Sequence, residues 1–219
     1  MTTRLYLARH GATTASAEDR FAGMMDIELS VEGKRQADAL GRRLASQPLA
    51  AVYASPLKRT LDTATRAAGG RTLEIQLREG LKEISYGDWE GLTRDEVASR
   101  YADEYRQWTT DPFTLAPGGG ESGVAVMARG LPVIREVVER HAGSVVLVVS
   151  HKATIRLILC AVLGIDPRGY RDRFEQEPGC LNAVDFADPV RARLMLYNDT
   201  SHYAGLPFPP GDAEKGSFR

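Results

Sequence analysis

Residues 5–13, with the sequence LYLARHGAT, decide the fold of this chain. Their apolar first half predicts a buried β-strand that ends at Arg9, His10 and Gly11. An arginine holds phosphate oxygens in a planar fork, a histidine can act as a nucleophile, and a glycine lets the backbone approach a ligand closely. This strand end therefore points to the chemistry of a phosphate group.

A second histidine, His151, follows an even stronger apolar run, VVLVVS, at residues 145–150. Predicted strands and helices alternate along most of the chain. The strands are expected at 5–8, 50–54, 72–76, 145–149, 181–186 and 192–197, and the helices at 30–47, 58–68, 124–141 and 155–163. This alternation predicts a three-layer α/β/α sandwich with a mostly parallel central sheet. Since such sheets bind ligands beyond the carboxyl ends of their strands, His10 and His151 are expected to share one site.

The bulk composition limits the classes of function. The chain has 219 residues, 43% of them hydrophobic and 26% charged, with a formal net charge of −1. These values are typical of a soluble protein and give no reason to expect nucleic acid or a membrane as a partner. The two cysteines are too few for a disulfide framework, and Cys160 is expected to be a reduced core thiol. No signal peptide or membrane span is predicted, so a cytoplasmic location is expected.

One domain is expected over residues 1–203, with an inserted loop or cap at 103–123. Residues 204–219 are rich in proline and glycine and are expected to form a flexible tail. The oligomeric state stays open, with a homodimer as one option.

Six motifs occur in a fixed order along the chain. They are RHGAT at 9–13, RFAG at 20–23, LSVEGKRQA at 29–37, SPLKRT at 55–60, LKEISYGDWEG at 81–91 and VSH at 149–151. Together they resemble the histidine phosphatase superfamily, also called the phosphoglycerate mutase-like family. The resemblance extends over nearly the whole chain and implies the phosphoglycerate mutase-like fold.

The resemblance implies a role for each residue at the two strand ends. His10 would be the nucleophile that takes the phosphoryl group as a phosphohistidine, which water then hydrolyses. Arg9, Arg59 and a protonated His151 would surround the equatorial oxygens of that group. Because these cations can balance the charge of the phosphoryl group, no metal ion and no cofactor are expected.

Glu83 is the expected general acid, because the departing alkoxide needs a proton. Tyr86 and Trp89 follow it closely in the sequence and are expected to enclose it. Glu90, the next carboxylate along the chain after Asp88, is expected at the surface.

Further substrate contacts are expected beside Arg9 and Arg59. Thr13 retains a hydroxyl group that can bind a phosphate oxygen, and Phe21 and Gly23 lie in the loop that resembles the family's first phosphate-side loop. Lys152 either reaches a second anionic group of the substrate or faces water. The chain departs from the family pattern at Ser16, where many relatives carry an asparagine.

The sequence thus predicts a metal-independent phosphomonoesterase acting on a small phosphate ester, of the sugar phosphate, sugar-acid phosphate or α-ribazole phosphate type. A cofactor-dependent phosphoglycerate mutase is the main competing hypothesis, although a mutase must shield its phosphohistidine from water and this chain offers only one modest cap. The sequence also leaves open a non-catalytic phosphate-binding protein on the same fold, and a metal-dependent hydrolase with His10, His151 and Glu83 as ligands.

Overall fold

The structure, a computed structural model, describes residues 1–17 and 19–205. Its strands are β1 (Thr3–Arg9), β2 (Leu49–Ala54), β3 (Ile75–Leu77), β4 (Val145–Ser150), β5 (Leu181–Phe186) and β6 (Ala192–Asp199). Its α-helices are α1 (Thr14–Ala17), α2 (Val31–Arg43), α3 (Lys58–Ala68), α4 (Arg94–Arg100), α5 (Ala102–Thr110), α6 (Gly123–Arg140), α7 (Lys152–Leu163) and α8 (Tyr170–Arg173). From residue 206 onward, the tail expected at 204–219 lies outside the described residues.

The strands form one sheet with the order β3-β2-β4-β1-β5-β6 in the described part of the chain. The pairs β3/β2, β2/β4 and β4/β1 are parallel, whereas β5 runs antiparallel to both β1 and β6. The late strand pair predicted from the sequence therefore extends one edge of a parallel sheet. This topology confirms the predicted mixed α/β architecture.

Alternation along β1 explains the three layers. Leu5 and Leu7 lie in a buried cluster with side chains of α6 and α7, whereas Tyr6 and Ala8 lie in a second cluster with side chains of α2 and α3. Successive side chains of a strand point to opposite faces, so one apolar strand forms the centre of two cores.

Three predicted boundaries are wrong. The helix expected at 30–47 ends at Arg43, and a turn replaces its predicted last residues. The strand expected at 72–76 begins only at Ile75, because its three residues pair with the end of β2 at the edge of the sheet. The helix expected from Ile155 begins at Lys152. Its first turn lacks the apolar periodicity of the rest, which is why the pattern placed the start too late.

The segment 103–123 contains most of α5 and a loop that leads into α6. Trp108 of α5 is 2% exposed, and its ring centroid lies 5.3 Å from that of Trp89. In the glycine-rich loop, the carbonyl of Gly118 accepts a hydrogen bond of 2.9 Å from the backbone N–H of Asp88. These contacts fasten the segment to the stretch that follows Glu83.

Two glycines join the loop after β1 to the start of α2. A Cβ on Gly11 would lie 2.3 Å from the carbonyl oxygen of Gly33, and a Cβ on Gly33 would lie 2.0 Å from that of Ala12. Ser30 caps the helix at this point, where its Oγ accepts a 3.0 Å hydrogen bond from Gly33. The close approach attributed to a ligand at Gly11 is therefore an approach between two stretches of backbone.

The described residues agree with the expectation that Cys160 is a reduced core thiol. Cys160 and Cys180 are buried free thiols. No helix within residues 1–17 and 19–205 is both long and apolar enough to cross a membrane.

The contact between the two glycines predicts a large loss of stability for Gly33→Ala. The added methyl group would overlap the backbone at Ala12, and overpacking of this kind lowers the free energy of unfolding by about 1–3 kcal/mol or more. Gly130→Ala in α6 is the matched control, because its Cβ would lie 3.5 Å from the nearest atom, and alanine favours a helix by about 1 kcal/mol. Urea denaturation of both variants tests this, and equal stability of the two would contradict it.

Candidate active site

The carboxyl ends of β1 and β4 bring two histidines together. The strands are adjacent and parallel, with Arg9 opposite Ser150 in the register. His10 and His151 each follow directly, and their ring centroids lie 5.1 Å apart. They are 5% and 0% exposed, so the two imidazoles lie buried at the edge of the sheet where α/β proteins bind ligands.

The hydrogen bond of His10 determines which of its ring nitrogens carries the proton. Its Nδ1 lies 2.8 Å from the carbonyl oxygen of Gly11. A carbonyl only accepts, so Nδ1 donates and the lone pair of the neutral ring is on Nε2. Burial, together with the charges of Arg59 and Arg9, holds the pKa of His10 well below its ordinary value. His10 is therefore neutral at neutral pH, with a lone pair available on Nε2.

His151 is also neutral in this structure, contrary to the expectation of a protonated ring. The Nε of Arg59 donates a 3.2 Å hydrogen bond to its Nδ1. Its Nε2 therefore carries the proton and donates to the Oγ of Ser55 at 2.9 Å. Burial, followed by the charge of Arg59, holds its pKa well below the ordinary value. Ser55 was not predicted as a site residue, although it begins the SPLKRT motif.

Arg59, on the first turn of α3, is 1% exposed and held by the loop between α1 and α2. Its Nη1 donates to the carbonyl of Met25 at 2.6 Å and its Nη2 to that of Gly23 at 2.8 Å. Gly23 has a φ of +45°, and a Cβ there would lie 2.1 Å from an oxygen of Glu90. The glycine thus permits the turn that orients the guanidinium.

Arg9 offers a donor that the described residues leave unused. Its Nη1 donates a 2.6 Å hydrogen bond to the carbonyl of Gln176. Its Nε is buried and has no hydrogen-bond partner among the residues that the structure describes. A buried donor without an acceptor costs about 1–3 kcal/mol, and an anionic ligand would remove that cost.

Glu83 is 8% exposed, and its carboxylate lies against the start of α7. It accepts hydrogen bonds of 3.3 Å from the backbone of Ala153, 3.3 Å from the backbone of Thr154, 3.3 Å from the Thr154 hydroxyl and 3.0 Å from the backbone of Ile84. His151 is the N-cap residue of the same helix. The helix start therefore fixes Glu83 relative to the two histidines.

Arg129 of α6 holds the backbone that carries Glu83, a role that sequence reasoning missed. Its guanidinium donates to the carbonyls of Gly80, Lys82 and Glu83 over 2.8–2.9 Å, and both Nε and Nη2 donate to Glu121 at 2.9 Å. A helical arginine is usually a surface charge, and nothing in its sequence context sets this one apart.

Comparison with known proteins now identifies the chain. The family model of the histidine phosphatase superfamily (branch 1) matches residues 5–200. This chain belongs to the histidine phosphatase superfamily. The match confirms the resemblance predicted from the six motifs and classes the protein with the phosphoric monoester hydrolases.

Three relatives illustrate how closely this histidine phosphatase matches known proteins. Phosphoserine phosphatase 1 of Hydrogenobacter thermophilus is 37% identical over 74% of this chain and 77% of its own length. Glucosyl-3-phosphoglycerate phosphatase of Mycolicibacterium vanbaalenii is 35% identical over 92% of this chain and 96% of its own. The solved structure of Bacillus stearothermophilus YhfR superposes with a TM-score of 0.86 at 32% identity, covering 91% of this chain and 98% of that one.

Thr13 and Phe21, both predicted to bind substrate, are buried in this histidine phosphatase. Thr13 is 5% exposed and its backbone forms a bridge with that of Leu29. Phe21 is 4% exposed, and its ring centroid lies 4.7 Å from that of Tyr86 and 5.5 Å from that of Trp89. The ring of Phe21 thus belongs to an aromatic core beneath the loop.

The expectation that Glu90 is a surface residue is wrong. One oxygen of its half-buried carboxylate accepts hydrogen bonds from the backbone of Met24 and of Tyr86, both at 3.0 Å, and from the hydroxyl of Ser85 at 3.2 Å. Glu90 therefore joins the loop that holds Arg59 to the stretch that follows Glu83.

The metal-ligand set considered from the sequence consisted of His10, His151 and Glu83. Within residues 1–17 and 19–205, no three or more histidine, cysteine, aspartate or glutamate side chains form a group that could hold a metal ion. The carboxylate of Glu83 faces the start of α7 instead.

The lowered pKa values of the two histidines predict that stability falls in mild acid. In the unfolded chain both rings titrate near pH 6.5, whereas in the folded protein they stay neutral below that value. Below about pH 6.5 the unfolded chain therefore binds protons that the folded protein does not. The free energy of unfolding then drops as the pH falls, by up to about 1.4 kcal/mol per pH unit for each histidine, until the folded pKa is reached.

Urea denaturation in phosphate-free buffers between about pH 7 and pH 5 measures this slope. His10→Gln removes one of the two rings. Its free energy of unfolding should therefore fall less steeply with decreasing pH, by up to about 1.4 kcal/mol per pH unit, which is the contribution of one bound proton. An unchanged slope in that variant would show that His10 titrates normally in the folded protein.

Proposed function

We propose that the protein is a metal-independent phosphomonoesterase that hydrolyses a small phosphorylated metabolite through a phosphohistidine on His10. One observation carries the proposal: a neutral His10, with its lone pair on Nε2, is buried beside the guanidinium groups of Arg9 and Arg59. A neutral imidazole is a good nucleophile, and the two cations are suited to a phosphate group.

The first step transfers the phosphoryl group. Nε2 of His10 attacks phosphorus, and the bond from phosphorus to the ester oxygen breaks as the nitrogen–phosphorus bond forms. Glu83, in its acid form, gives its proton to the departing alkoxide.

In the second step, Glu83 takes a proton from water, whose oxygen attacks phosphorus. The nitrogen–phosphorus bond breaks, orthophosphate leaves, and both His10 and Glu83 return to their starting forms. Two easier displacements thereby replace one difficult displacement.

The positive charge for both steps comes from the chain itself. The buried Nε of Arg9 has no acceptor among the described residues. Arg59 uses three of its five N–H groups on His151, Met25 and Gly23, which leaves two for a ligand. A bound phosphate dianion also favours the protonated form of His151, because an opposite charge nearby raises the pKa of an imidazole. The second proton would go to Nδ1, so the Nε–H of Arg59 would leave that atom and become a third donor for the ligand. The expected cationic ring would then form only when substrate is bound.

A small substrate of the sugar phosphate or sugar-acid phosphate type fits the relatives. Their names specify phosphoserine and glucosyl-3-phosphoglycerate, both of which carry a carboxyl group as well as a phosphate ester. We propose hydrolysis rather than return of the phosphoryl group to the substrate, because a mutase must keep water away from its phosphohistidine. For this purpose the sequence predicts one modest cap, at 103–123.

His10→Asn is expected to abolish hydrolysis, with a loss of at least about 10³-fold in kcat/KM. The assay measures phosphate release from sugar phosphates, phosphoglycerate, phosphoserine, α-ribazole phosphate and 4-nitrophenyl phosphate with EDTA present. His141→Asn is the matched control, since His141 lies outside the site and its Nε2 shares a 2.9 Å hydrogen bond with the hydroxyl of Tyr53.

Mass spectrometry after an alkaline quench should find a phosphoryl group on the peptide that contains His10. Activity that requires a divalent cation would contradict the metal-independent mechanism. Conversion of 3-phosphoglycerate to its isomer without phosphate release would identify a mutase.

Glu83→Gln is expected to discriminate between leaving groups. For glycerol 3-phosphate, an alkyl ester whose alkoxide needs a proton, kcat/KM should fall by about 10²–10⁴-fold. For 4-nitrophenyl phosphate, whose leaving group is stable as an anion, kcat/KM should change by less than about tenfold. Glu139→Gln, at an exposed position of α6, is the control. Equal losses on both esters would mean that Glu83 is not the proton donor.

A further inference from the structure

Two cations lie on α7 directly beyond His151. Lys152 and Arg156 are four residues apart, so they occupy the same face of the helix. Both contact one oxygen of Glu175: Oε1 lies 2.7 Å from Nζ of Lys152 and 3.2 Å from Nη2 of Arg156. The backbone N–H of Gln176 donates to the same oxygen at 3.0 Å.

This cluster adjoins the phosphate site. The carbonyl of Gln176 accepts the 2.6 Å hydrogen bond from Arg9, so residues 175 and 176 connect Arg9 to the pair on α7. Burial lowers the pKa of both Lys152 and Arg156, and the charge of Arg9 lowers them further. Two cations therefore share one carboxylate, and Arg9 is bound to the carbonyl of the next residue.

The cluster is not an ordinary surface ion pair. Arg156 is only 7% exposed, and its Nε is buried without a hydrogen-bond partner in the part of the chain that the structure describes. Burying a guanidinium with an unused donor is costly, and Glu175 provides one negative charge for the two positive charges of Lys152 and Arg156. The side chain of Glu175 is 52% exposed, so it can leave the cluster without disturbing the core.

We propose that Lys152 and Arg156 form a carboxylate subsite beside the phosphate site, and that Glu175 fills this subsite until a substrate carboxylate replaces it. The enzyme would accordingly prefer phosphorylated hydroxy acids or amino acids over neutral phosphate esters. The inference rests on the proposed phosphatase activity and adds the class of substrate. A carboxylate is favoured over a second phosphate because the occupant seen in the structure is a carboxylate, held by three donors at one oxygen.

The test compares 3-phosphoglycerate with glycerol 3-phosphate, which has a hydroxymethyl group in place of the carboxylate. The parent enzyme should prefer 3-phosphoglycerate by at least about tenfold in kcat/KM, as expected for one charge-assisted contact. Lys152→Met and Arg156→Met should each reduce this ratio by about tenfold. Glu175→Gln should lower the KM for 3-phosphoglycerate by about three- to tenfold, because it removes the competing carboxylate.

Two exposed residues of α6 provide matched controls, Arg135→Met and Glu139→Gln. They alter the net charge by the same amounts and should leave the ratio unchanged. O-phosphoserine compared with phosphoethanolamine repeats the test with an amino acid.

The outcomes separate this inference from the proposed function. If 4-nitrophenyl phosphate is hydrolysed but the ratio is the same in all variants, the subsite is wrong and the phosphatase activity stands. If no ester is hydrolysed, the dissociation constants of 3-phosphoglycerate and glycerol 3-phosphate, measured by calorimetry, give the ratio instead. Equal affinities there would overturn the subsite. A preference for a bisphosphate of the same chain length, without one for phosphoglycerate, would overturn the choice of a carboxylate.

Discussion

The site depends on the parallel pairing of β1 with β4. This register places Arg9 opposite Ser150. A histidine follows each of these residues, so the rings of His10 and His151 lie close together. A shift of one residue would turn the apolar side chains of β1 towards the wrong cores, because Leu5 and Leu7 face one layer of helices and Tyr6 the other. The packing that stabilises the sheet therefore also sets the geometry of the site.

Electrostatics determines the protonation of the two histidines. Arg59 is buried against His151 and near His10. Both imidazoles remain neutral, because burial and the positive charge of Arg59 disfavour a protonated ring. Neutrality provides the lone pair of His10 and lets the ring of His151 accept from Arg59. The buried Nε of Arg9 is meanwhile left without an acceptor among the described residues, so the candidate site combines the proposed nucleophile with a positive group suited to an anion.

The fold class and most residues of the candidate site could be predicted from the sequence, because apolar runs mark strands and three of the six motifs, RHGAT, SPLKRT and VSH, lie at strand ends. What could not be predicted depends on three-dimensional contacts between distant residues. The charge of His151 is set by which atom of Arg59 approaches it. Arg129 looks like any helical arginine until its carbonyl partners are known. Glu175 has no motif around it, and only the folded chain brings it to Lys152.

The Nε of Arg9, a donor without a partner within residues 1–17 and 19–205, has a consequence for how the enzyme would behave among metabolites. Orthophosphate has the charge and shape of the group that Arg9 and Arg59 are proposed to hold, and it is also the product of hydrolysis. Release of the product must break the contacts that made the substrate bind. Product inhibition would therefore accompany the proposed site, and the rate of turnover would depend on the phosphate concentration of the surroundings as well as on the supply of substrate.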